Sequence, residues 1–454
     1  MGIGGIGMSG IAAILRQQGY TVSGCDVVEN SEILEWLKDL GCSIHVGHDI
    51  SHTADIDVLV YSSAVKMTHP EVQSALKAGI PVIPRAIMLA ELMRTKYGIA
   101  VSGSHGKTTT TSMISHILTQ ADLDPTIVIG GVLKNLSTHA RLGNGDLLIA
   151  EADESDRSLL YLNPSFAIVT NVDAEHLDTY KDLDDVKETF RSFLARLPFY
   201  GKAFVCIDDH NLKTILPLPH IPTIKYGLSR DAQIRAEVIE LAPDYSEFRV
   251  YERVFNKDKE RKLGKIKLNM PGEHNVLNSL AAIGLCLELD IDFSIIKKAL
   301  ENFSGVERRF ELKGSFNGAE IFDDYGHHPT EIEKTLVVAR NRAKSKLHVV
   351  FQPHRYTRTE KLWDDFVKTF ANAHVDTLFL TDIYPASESP IDNITSERLA
   401  KAIRKYNPNI KIYYYPTYDE IYEHTKDILS DGDLFITIGA GRANCIGNLL
   451  ISEG

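Results

Sequence analysis

The sequence lacks three features that would assign it to large classes of protein. It has no apolar run approaching the roughly 18 residues of a membrane-spanning helix. It has no basic segment followed by an apolar one after Met1, as a secretory signal would have. It also lacks a basic excess, because the formal net charge is −12, whereas nucleic-acid-binding proteins normally present a basic face. The sequence therefore predicts a protein that binds neither membranes nor nucleic acid.

Cysteine is scarce and scattered along the chain. The five cysteines are odd in number and are never spaced as Cys-x-x-Cys. This pattern favours buried, small apolar side chains in a reducing compartment over disulfides or zinc ligands. We therefore expect a cytoplasmic protein. The cysteines are Cys25, Cys42, Cys206, Cys286 and Cys445.

The composition is that of a large globular protein. The chain has 454 residues, 44% hydrophobic and 24% charged, which is too long for one core and predicts two or three domains. Alternating strand and helix patterns predict an α/β protein. We expect a Rossmann-like domain over residues 1–97, a central domain of the phosphate-loop ATPase type with a mostly parallel sheet over 98–306, and a Rossmann-like C-terminal domain over 307–454.

The most informative segment is a phosphate loop, VSGSHGKTTT. An apolar strand pattern precedes it and an apolar helical periodicity follows it, so unpaired backbone N–H groups converge on one point and bind phosphate. Lys107 adds positive charge, and the Thr108 hydroxyl is placed to bind Mg²⁺. Gly103 and Gly106 give the shorter Gly-x-x-Gly-Lys-Thr form, since Val101 occupies the place of the usual first glycine. The segment predicts a site for a nucleoside triphosphate.

The N-terminal block opens on a weaker motif. Gly2, Gly4 and Gly7 form a Gly-x-Gly-x-x-Gly turn, and Asp26 follows about 20 residues later, as in dinucleotide-binding folds. The strand that should lead into this turn is absent, because the given chain begins on the turn itself. Either the start codon is misassigned or the domain has lost its first strand, and the rest of the block predicts a small parallel α/β unit.

Two polar side chains stand just past buried strands of the central sheet. Glu151 and His176 each follow an apolar strand pattern, and ligands gather at the carboxyl ends of parallel strands. A carboxylate, an imidazole and phosphate oxygens suit Mg²⁺, with Mn²⁺ as an alternative. The neighbouring charges of Asp153, Glu154 and Asp156 are also compatible with a solvated loop.

Two polar clusters of the third block follow successive predicted strands. The first, FDDYGHHP, contains Asp324 and His327, and the second, QPHRYTRT, contains His354, Arg355 and Arg358. Arg355 and Arg358 are three residues apart just past a predicted strand, a spacing that places both on one side of a first helical turn. Arginine forks suit carboxylates and phosphates held in a fixed plane. The two clusters predict an anion-binding cleft.

Two helix starts carry further signals. Thr330, followed three residues later by Glu333, predicts a capping box. The segment PGEHNVLN predicts another helix start, at which Asn275 and Asn278 are placed to hydrogen-bond the edge of a base.

Taken in chain order, these motifs resemble the Mur ligase family. The resemblance is carried by the glycine-rich start and by GSHGKTT, EADESD, NVDAEH, GEHNVLN, RRF, DDYGHHPTE and QPHRYTR. It covers essentially the whole chain apart from the first strand, and several motifs are specific to the alanine-adding branch. One departure lies near the C-terminus, where Arg442 follows Gly-Ala-Gly in place of the usual acidic or amide residue.

The resemblance implies an ATP-dependent amide ligase of peptidoglycan synthesis. It would join L-alanine to the lactyl carboxylate of UDP-N-acetylmuramate, releasing ADP and phosphate. Catalysis would involve Lys107, Arg309 and His327, and a metal ion would bind Thr108, Glu151 and His176. ATP would bind Gly103, Ser104, His105, Gly106, Lys107, Thr108, Thr109, Asn275, Asn278, Arg309 and Asp324. The UDP-sugar would bind Gly4, Gly5, Ile6, Gly7, Met8, Ser9, Asp26, Ser62 and Ser63, and alanine's carboxylate would bind His354, Arg355 and Arg358.

Three alternatives remain open from the sequence. The glycine-rich start with Asp26 also fits an NAD-dependent oxidoreductase, although the phosphate loop counts against it. A non-catalytic sensor of ATP or a UDP-sugar would bind ligands without releasing phosphate. A sister ligase of the same family would attach a preformed peptide in place of alanine.

Overall fold

The computed structural model describes residues 1–29, 31–133, 138–176, 179–253, 260–386 and 388–453. They form two compact units. The first contains residues 1–239, 248–268 and 275–304, and the second contains residues 240–247, 269–274 and 305–454. Within these ranges, no helix combines the length and the apolar character needed to cross a membrane.

The N-terminal part of the first unit alternates short parallel strands with helices. Strand β1 pairs with β2, and β3 pairs with β4, both in parallel. A short 3₁₀ helix spans Ile50–Thr53. The elements are α1 (Ile6–Gln17), β1 (Ser23–Asp26), α2 (Glu32–Asp39), β2 (Ser43–Val46), β3 (Leu59–Tyr61), α3 (Pro70–Lys77), β4 (Val82–Pro84) and α4 (Arg85–Met93).

The backbone at the start of the chain connects these two strand pairs. The Met1 nitrogen donates to the Val60 carbonyl in β3, at 2.7 Å. The Gly2 N–H donates to the Cys25 carbonyl in β1, at 2.9 Å. The glycine turn then enters α1, so its amides lie at the carboxyl ends of β1 and β3, where ligands bind in parallel sheets.

The central part is built on one large sheet. A short 3₁₀ helix spans Ser158–Tyr161. The elements are β5 (Tyr97–Ser102), α5 (Lys107–Gln120), β6 (Thr126–Leu133), β7 (Thr138–Arg141), β8 (Leu147–Glu151), β9 (Phe166–Val169), α6 (Leu183–Leu194), β10 (Lys202–Cys206), α7 (His210–Ile215), β11 (Thr223–Gly227), β12 (Ile234–Leu241), β13 (Ser246–Arg253), β14 (Glu260–Leu268), α8 (Glu273–Glu288) and α9 (Phe293–Glu301).

The strand order of this sheet positions the phosphate loop. The order is β14-β13-β12-β11-β10-β9-β5-β8-β6-β7. Strand β5 lies between β8 and β9 and is parallel to both. Among the strand pairings described from β5 to β12, only that of β6 with β7 is antiparallel. The carboxyl ends of β5, β8 and β9 therefore meet at one edge, which brings the loops after them together.

The second unit contains a six-stranded sheet of order β15-β16-β20-β17-β18-β19. All its pairings are parallel except β15 with β16. The elements are β15 (Glu311–Phe316), β16 (Ala319–Asp324), α10 (Pro329–Arg342), β17 (Leu347–Phe351), α11 (Tyr356–Lys361), α12 (Trp363–Asn372), β18 (Thr377–Leu380), α13 (Ser396–Tyr406), β19 (Lys411–Tyr414), α14 (Tyr418–Ile428), β20 (Leu434–Ile438) and α15 (Asn444–Glu453).

The predicted α/β class is confirmed, whereas one local prediction is wrong. Thr330 does not cap α10, because the helix begins at Pro329 and His328 is its N-cap. The His328 ring nitrogen accepts the Thr330 N–H at 3.4 Å. Proline favours the first helical position because its φ is already helical and it needs no acceptor, and this fixes the start one residue before Thr330.

Candidate active site

The phosphate loop lies between β5 and α5. Gly106 is the residue before the helix and has φ +82°, a left-handed conformation that glycine adopts without strain. Lys107 and Thr108 occupy the first turn of α5, where the N–H groups have no acceptor within the helix. The first turn of α5 therefore presents hydrogen-bond donors to an anion, together with the Thr108 hydroxyl.

The loop is held in place by the segment after β9. The Thr170 hydroxyl donates to the His105 carbonyl at 2.5 Å. The Asn171 side-chain oxygen accepts the His105 N–H at 2.8 Å, and its backbone carbonyl accepts the Ser104 N–H at 3.1 Å. The backbone N–H groups of Ser104 and His105, which were expected to bind phosphate, therefore donate within the protein. The N–H groups that are left to donate to an anion are mainly those of the following turn, at the start of α5.

Lys107 forms an ion pair that the sequence did not predict. Its ammonium lies 2.7 Å from a Glu154 carboxylate oxygen and also donates to the Gly103 carbonyl at 2.6 Å. Burial alone would lower the pKa of Lys107, but the Glu154 and Asp153 carboxylates outweigh it and hold the pKa above its ordinary value. Lys107 is thus charged at neutral pH and is pre-aligned at the loop, and a bound phosphate would compete with Glu154 for it.

The two asparagines of α8 lie next to this loop. A β-carbon on Gly106 would stand 2.5 Å from the Asn278 side-chain oxygen. The Asn278 amide nitrogen in turn donates to the Asn275 side-chain oxygen at 3.4 Å. Both asparagines are buried, and Asn278 lies directly beside the loop.

A second group of ligand atoms forms around His176. Its Nε2 lies 3.5 Å from a Glu154 oxygen and 3.6 Å from a Glu175 oxygen, and the three residues offer ligand atoms within 4.8 Å of one another. Burial lowers the pKa of His176, but Glu154 and Glu175 raise it above its ordinary value overall. His176 also has φ +54°, a strained backbone that occurs often at functional sites.

Glu151, the other predicted metal ligand, lies at the end of β8. One of its carboxylate oxygens accepts the Gly130 N–H at 2.8 Å. The residue that joins His176 and Lys107 directly is Glu154, whose side chain is only 2% exposed. The alternative that Glu154 belongs to a solvated loop is therefore wrong. The sequence signal for Glu154 was its position three residues after Glu151, the carboxylate at the end of a predicted strand.

The N-terminal glycine turn is held by Asp26. The Asp26 carboxylate accepts the Gly4 N–H at 2.8 Å, so it fixes the turn from below. Gly5 is the residue before α1 and is exposed, as is Ile6, whereas Ser9 is fully buried. Gly5 and Ile6 thus border the open side of the turn. The remaining residues predicted to bind the UDP-sugar lie in different environments. Met8 is buried in the core, Gly7 and Ser62 lie at the face of the turn, and Ser63 is exposed.

Arg85 is a further cation at this turn that the sequence analysis missed. Its guanidinium lies so close to Gly7 that a β-carbon there would overlap it. It also lies 3.7 Å from the Asp153 carboxylate, in the loop that follows β8. Arg85 therefore connects the glycine turn with the acidic loop of the central part, and it places a positive charge at the turn.

In the second unit, Asp324 lies at the end of β16. Its oxygens accept the N–H groups of Phe310 and Gly326, both at 2.8 Å. Burial raises the pKa of Asp324 to about 6, although Arg309 and these hydrogen bonds act in the opposite direction. Arg309 itself lies 3.8 Å from Glu331 and over the Tyr325 ring. Asp324 therefore orders the segment that carries Arg309.

Two of the predicted alanine-binding residues, His354 and Arg358, lie near His327. The rings of His327 and His354 lie 5.8 Å apart, and an Arg358 guanidinium nitrogen lies 3.1 Å from His354 Nδ1. Burial lowers the pKa of His327 well below its ordinary value and that of His354 to about 4. Both rings are therefore neutral at pH 7. His327 Nδ1 lies 3.1 Å from the Tyr325 carbonyl, and donation there leaves Nε2 as the basic nitrogen.

Arg355 does not share a helix face with Arg358, contrary to the prediction from their spacing. Helix α11 begins at Tyr356, so Arg355 precedes it and has φ +70°. Its N–H donates to the Tyr384 carbonyl at 2.8 Å, and Tyr384 stacks on His354. Arg355 therefore fixes the strand-to-helix turn, whereas Arg358 faces His354.

The atypical Arg442 acts through its backbone. Its N–H donates to the Gln352 side-chain oxygen at 3.0 Å, and the Gln352 amide donates to the Tyr418 hydroxyl at 2.8 Å. Any residue other than proline supplies such an N–H. The substitution at this position is thus compatible with an intact final turn.

Comparison with known proteins follows the same division of the chain. Residues 1–97 match the family description "Mur ligase family, catalytic domain", residues 101–286 match "Mur ligase middle domain", and residues 308–441 match "Mur ligase, glutamate ligase domain". Together these ranges cover most of the sequence. The chain belongs to the Mur ligase family.

Curated relatives of this Mur ligase align over nearly their full lengths. The UDP-N-acetylmuramate–L-alanine ligase of Geobacter sp. (strain M21) is 50% identical over 452 residues, which are 99% of this chain and 96% of that protein. The enzyme of the same name from Geotalea daltonii is 49% identical over 453 residues, covering 100% and 97% respectively. Mur ligases use ATP, which agrees with the phosphate loop.

Solved structures show the same fold. The UDP-N-acetylmuramate-alanine ligase of Thermotoga maritima has a TM-score of 0.81 at 26% identity, covering 100% of this Mur ligase and 97% of that chain. A murein peptide ligase from Psychrobacter arcticus has a TM-score of 0.72 at 25% identity, covering 99% and 97%. The resemblance inferred from the motifs is therefore confirmed.

Proposed function

We propose that this Mur ligase joins L-alanine to the lactyl carboxylate of UDP-N-acetylmuramate, with ATP as the energy source. The observation that carries the proposal is the 50% identity, over 99% of the chain, to a relative named for this reaction. The ion-paired Lys107 at the start of α5 supplies the chemical support, because phosphoryl transfer from ATP needs a cation fixed at the phosphates. The ligase acts in the cytoplasm, in the synthesis of peptidoglycan precursors.

The reaction has two steps. A carboxylate oxygen of UDP-N-acetylmuramate attacks the γ-phosphorus of ATP, so the bond from that phosphorus to ADP breaks and an acyl phosphate forms. The alanine amine, after loss of a proton, then attacks the acyl carbon. The tetrahedral intermediate collapses to the amide and expels inorganic phosphate. ATP thereby converts a poor acyl donor into one with a good leaving group.

The first step depends on positioning and on neutralisation of charge. The first turn of α5 donates N–H groups to the phosphates, and Lys107 exchanges Glu154 for phosphate oxygens when ATP binds. Because Gly103 has no side chain, the backbone of the loop can pass close to Thr170. Asn275 and Asn278 would hydrogen-bond the adenine base of ATP. Arg309, in the segment ordered by Asp324, would add a charge to the nucleotide.

The acidic group beside the phosphate loop suits a hard divalent cation. Glu154, Glu175 and His176 offer oxygen and imidazole ligands within 4.8 Å of one another, a donor set that fits Mg²⁺ or Mn²⁺. Thr108 would hold a first cation at the start of α5, and Glu151, at the end of β8, would join His176 in holding the second. A bound Mg²⁺ would neutralise charge on the ATP phosphates and on the acceptor carboxylate.

The second step needs an amine that has lost its proton. His327 offers Nε2 as the acceptor because burial lowers its pKa and keeps the ring neutral, although the same shift makes it a weak base. Arg358, fixed by His354, would hold the alanine carboxylate by charge-assisted hydrogen bonds. The glycine turn, with Asp26 beneath it and Arg85 above, would bind the UDP-sugar diphosphate; Gly4, Gly5, Ile6, Gly7, Met8, Ser9, Ser62 and Ser63 are the residues proposed there.

The proposal is tested by phosphate release with ATP and UDP-N-acetylmuramate. L-Alanine, glycine, L-serine and a murein tripeptide that begins with L-alanine are offered separately, and the nucleotide-sugar product is identified by mass. We expect release to depend on both substrates and L-alanine to have the highest kcat/KM. A preference for the tripeptide would instead make the chain a ligase of preformed peptides, in line with the name of the Psychrobacter relative, a murein peptide ligase. Reduction of NAD without phosphate release would overturn both.

A further inference from the structure

The N-terminal part contains a compact group of metal-ligand side chains outside the proposed active site. We call it the Cys25 cluster, and it consists of Cys25, His48, His52 and Glu71. Cys25 lies in β1, His48 and His52 lie between β2 and β3, and Glu71 lies in the first turn of α3. Neither the proposed reaction nor the proposed UDP-sugar site uses these side chains.

Three donor atoms of the cluster are spaced as the corners of a tetrahedral metal site. Cys25 Sγ lies 3.3 Å from Glu71 Oε2 and 3.6 Å from His48 Nδ1. The remaining side, from His48 Nδ1 to Glu71 Oε2, is 3.3 Å. Zinc–ligand bonds of about 2.0–2.3 Å at tetrahedral angles place nitrogen, oxygen and sulfur ligands about 3.3–3.6 Å apart. The three atoms therefore need little movement to share one ion.

The second oxygen of Glu71 is fixed independently. His52 Nδ1 lies 2.9 Å from Glu71 Oε1, and the Asp49 N–H donates to the same oxygen at 2.8 Å. Such contacts orient a ligating carboxylate and strengthen metal binding. Glu71 Oε2 is thereby directed at the thiol and at His48.

The cluster is buried on one side and open on the other. Cys25 and Glu71 are almost fully buried, whereas the side chain of His48 is 28% exposed and that of His52 is 19% exposed. A buried thiol and carboxylate exclude competing solvent, and the partly exposed imidazoles provide an entry path. Both properties are expected of a site that takes up an ion after folding.

We propose that Cys25, His48 and Glu71 bind one borderline divalent metal ion of the Zn²⁺ type, with His52 positioning Glu71. A thiolate with an imidazole selects Zn²⁺ over Mg²⁺, which prefers oxygen ligands. On binding, the Cys25 thiol loses to solvent the proton that it donates to Glu71 in this structure, and sulfur forms a bond to the ion. Three protein ligands leave the fourth tetrahedral position to water.

The ion would stiffen the region beneath the glycine turn. It would join β1 to α3, and the residue after Cys25 is Asp26, which accepts the Gly4 N–H at 2.8 Å. Because the folded protein would bind the ion and the unfolded chain would bind it less well, Zn²⁺ should raise the melting temperature. This inference does not depend on the proposed ligase activity.

Cobalt(II) provides the sharpest test, because only a thiolate ligand gives an intense ligand-to-metal absorption in the near ultraviolet. The full-length protein is stripped with a chelator and titrated with Co²⁺ alone. We expect this absorption in the wild type and in Cys42→Ser, a matched control in the same part of the fold. It should be absent in Cys25→Ser and should disappear when one equivalent of Zn²⁺ is added. The oxygen and imidazole group around His176 cannot produce it.

Two histidine variants separate the metal site from a mere hydrogen-bond network around Glu71. His52→Asn should keep the absorption but weaken Co²⁺ binding about 10–100-fold, and His48→Asn should weaken it further. His45→Asn, which changes the ring stacked on His52, is the control and should bind as the wild type does. The melting temperature without metal verifies folding of each variant. The proposal is overturned if the wild type shows no such absorption, or if Cys25→Ser retains it.

Discussion

Gly103→Ala is the perturbation for which the structure makes the strongest quantitative statement about the phosphate loop. Gly103 has φ +133°, a region that alanine rarely adopts. A β-carbon there would overlap the Thr170 hydroxyl oxygen and would lie 3.0 Å from the Thr170 nitrogen and 3.2 Å from the Asn171 nitrogen. The backbone at these two positions cannot yield without breaking the bonds that hold His105.

The magnitude follows from two separate costs. Placing alanine at positive φ costs about 1–2 kcal/mol, and forcing extra volume against fixed atoms costs about 1–3 kcal/mol more. We therefore expect Gly103→Ala to lower the free energy of unfolding by about 2–5 kcal/mol. Gly19→Ala is the matched control, because Gly19 has φ +96° and no atom within 4 Å of the added carbon. Gly19→Ala should therefore lower the free energy of unfolding only by the cost of the positive φ, about 1–2 kcal/mol.

Activity should separate the two variants more strongly than stability does. In Gly103→Ala the loop must shift away from Thr170, which moves Lys107 relative to ATP. We expect kcat/KM for ATP to fall at least a hundredfold, or about 2.7 kcal/mol, while Gly19→Ala stays near wild type. Urea denaturation and phosphate release measure the two effects. If Gly103→Ala matches Gly19→Ala in both assays, the close packing of the loop on Thr170 does not determine activity.

Three other predictions test the remaining groups. Arg358→Lys should raise KM for L-alanine about 10–200-fold, since lysine cannot replace a bidentate fork, and a rise in KM for ATP instead would place the arginine at phosphate. Glu151→Ala and His176→Ala should each raise the Mg²⁺ concentration for half-maximal activity, with non-additive effects in the double variant; simple additivity would argue against a shared cation. Burial lowers the pKa of His354 in the folded protein to about 4, whereas the ordinary value of the unfolded chain is about 6.5. Between these two pH values only the unfolded chain binds a proton at His354. The free energy of unfolding should therefore fall by at most about 1.4 kcal/mol for each unit by which the pH is lowered. Urea denaturation of His354→Asn should therefore show a shallower pH dependence, and an unchanged slope would contradict the assignment.

Local patterns were sufficient to predict much of the fold and the phosphate loop. Strands β17, β18 and β20 each coincide with a short, mostly apolar run of the sequence, which is the pattern that buried parallel strands give. Gly106 and Lys107 were identified because the strand, turn and helix of a phosphate loop are adjacent in sequence.

Residues that act across long sequence separations escaped prediction. Glu154 pairs with Lys107 across 47 positions, and the Arg85 contact with Asp153 spans two parts of the fold. Arg355 was misplaced because spacing alone does not show which residue begins a short helix. The Cys25 cluster has no spacing motif, since its four residues come from three separate segments that only the tertiary fold brings together.

We propose above all that this Mur ligase activates a carboxylate as an acyl phosphate at the Lys107 loop. The most direct measurement uses UDP-N-acetylmuramate labelled with oxygen-18 in its lactyl carboxylate, together with ATP and L-alanine. We expect the released inorganic phosphate to carry one labelled oxygen per amide formed. Lys107→Ala, with at least a hundredfold lower rate, should abolish this transfer on the same time scale. Amide formation with unlabelled phosphate would contradict the proposal.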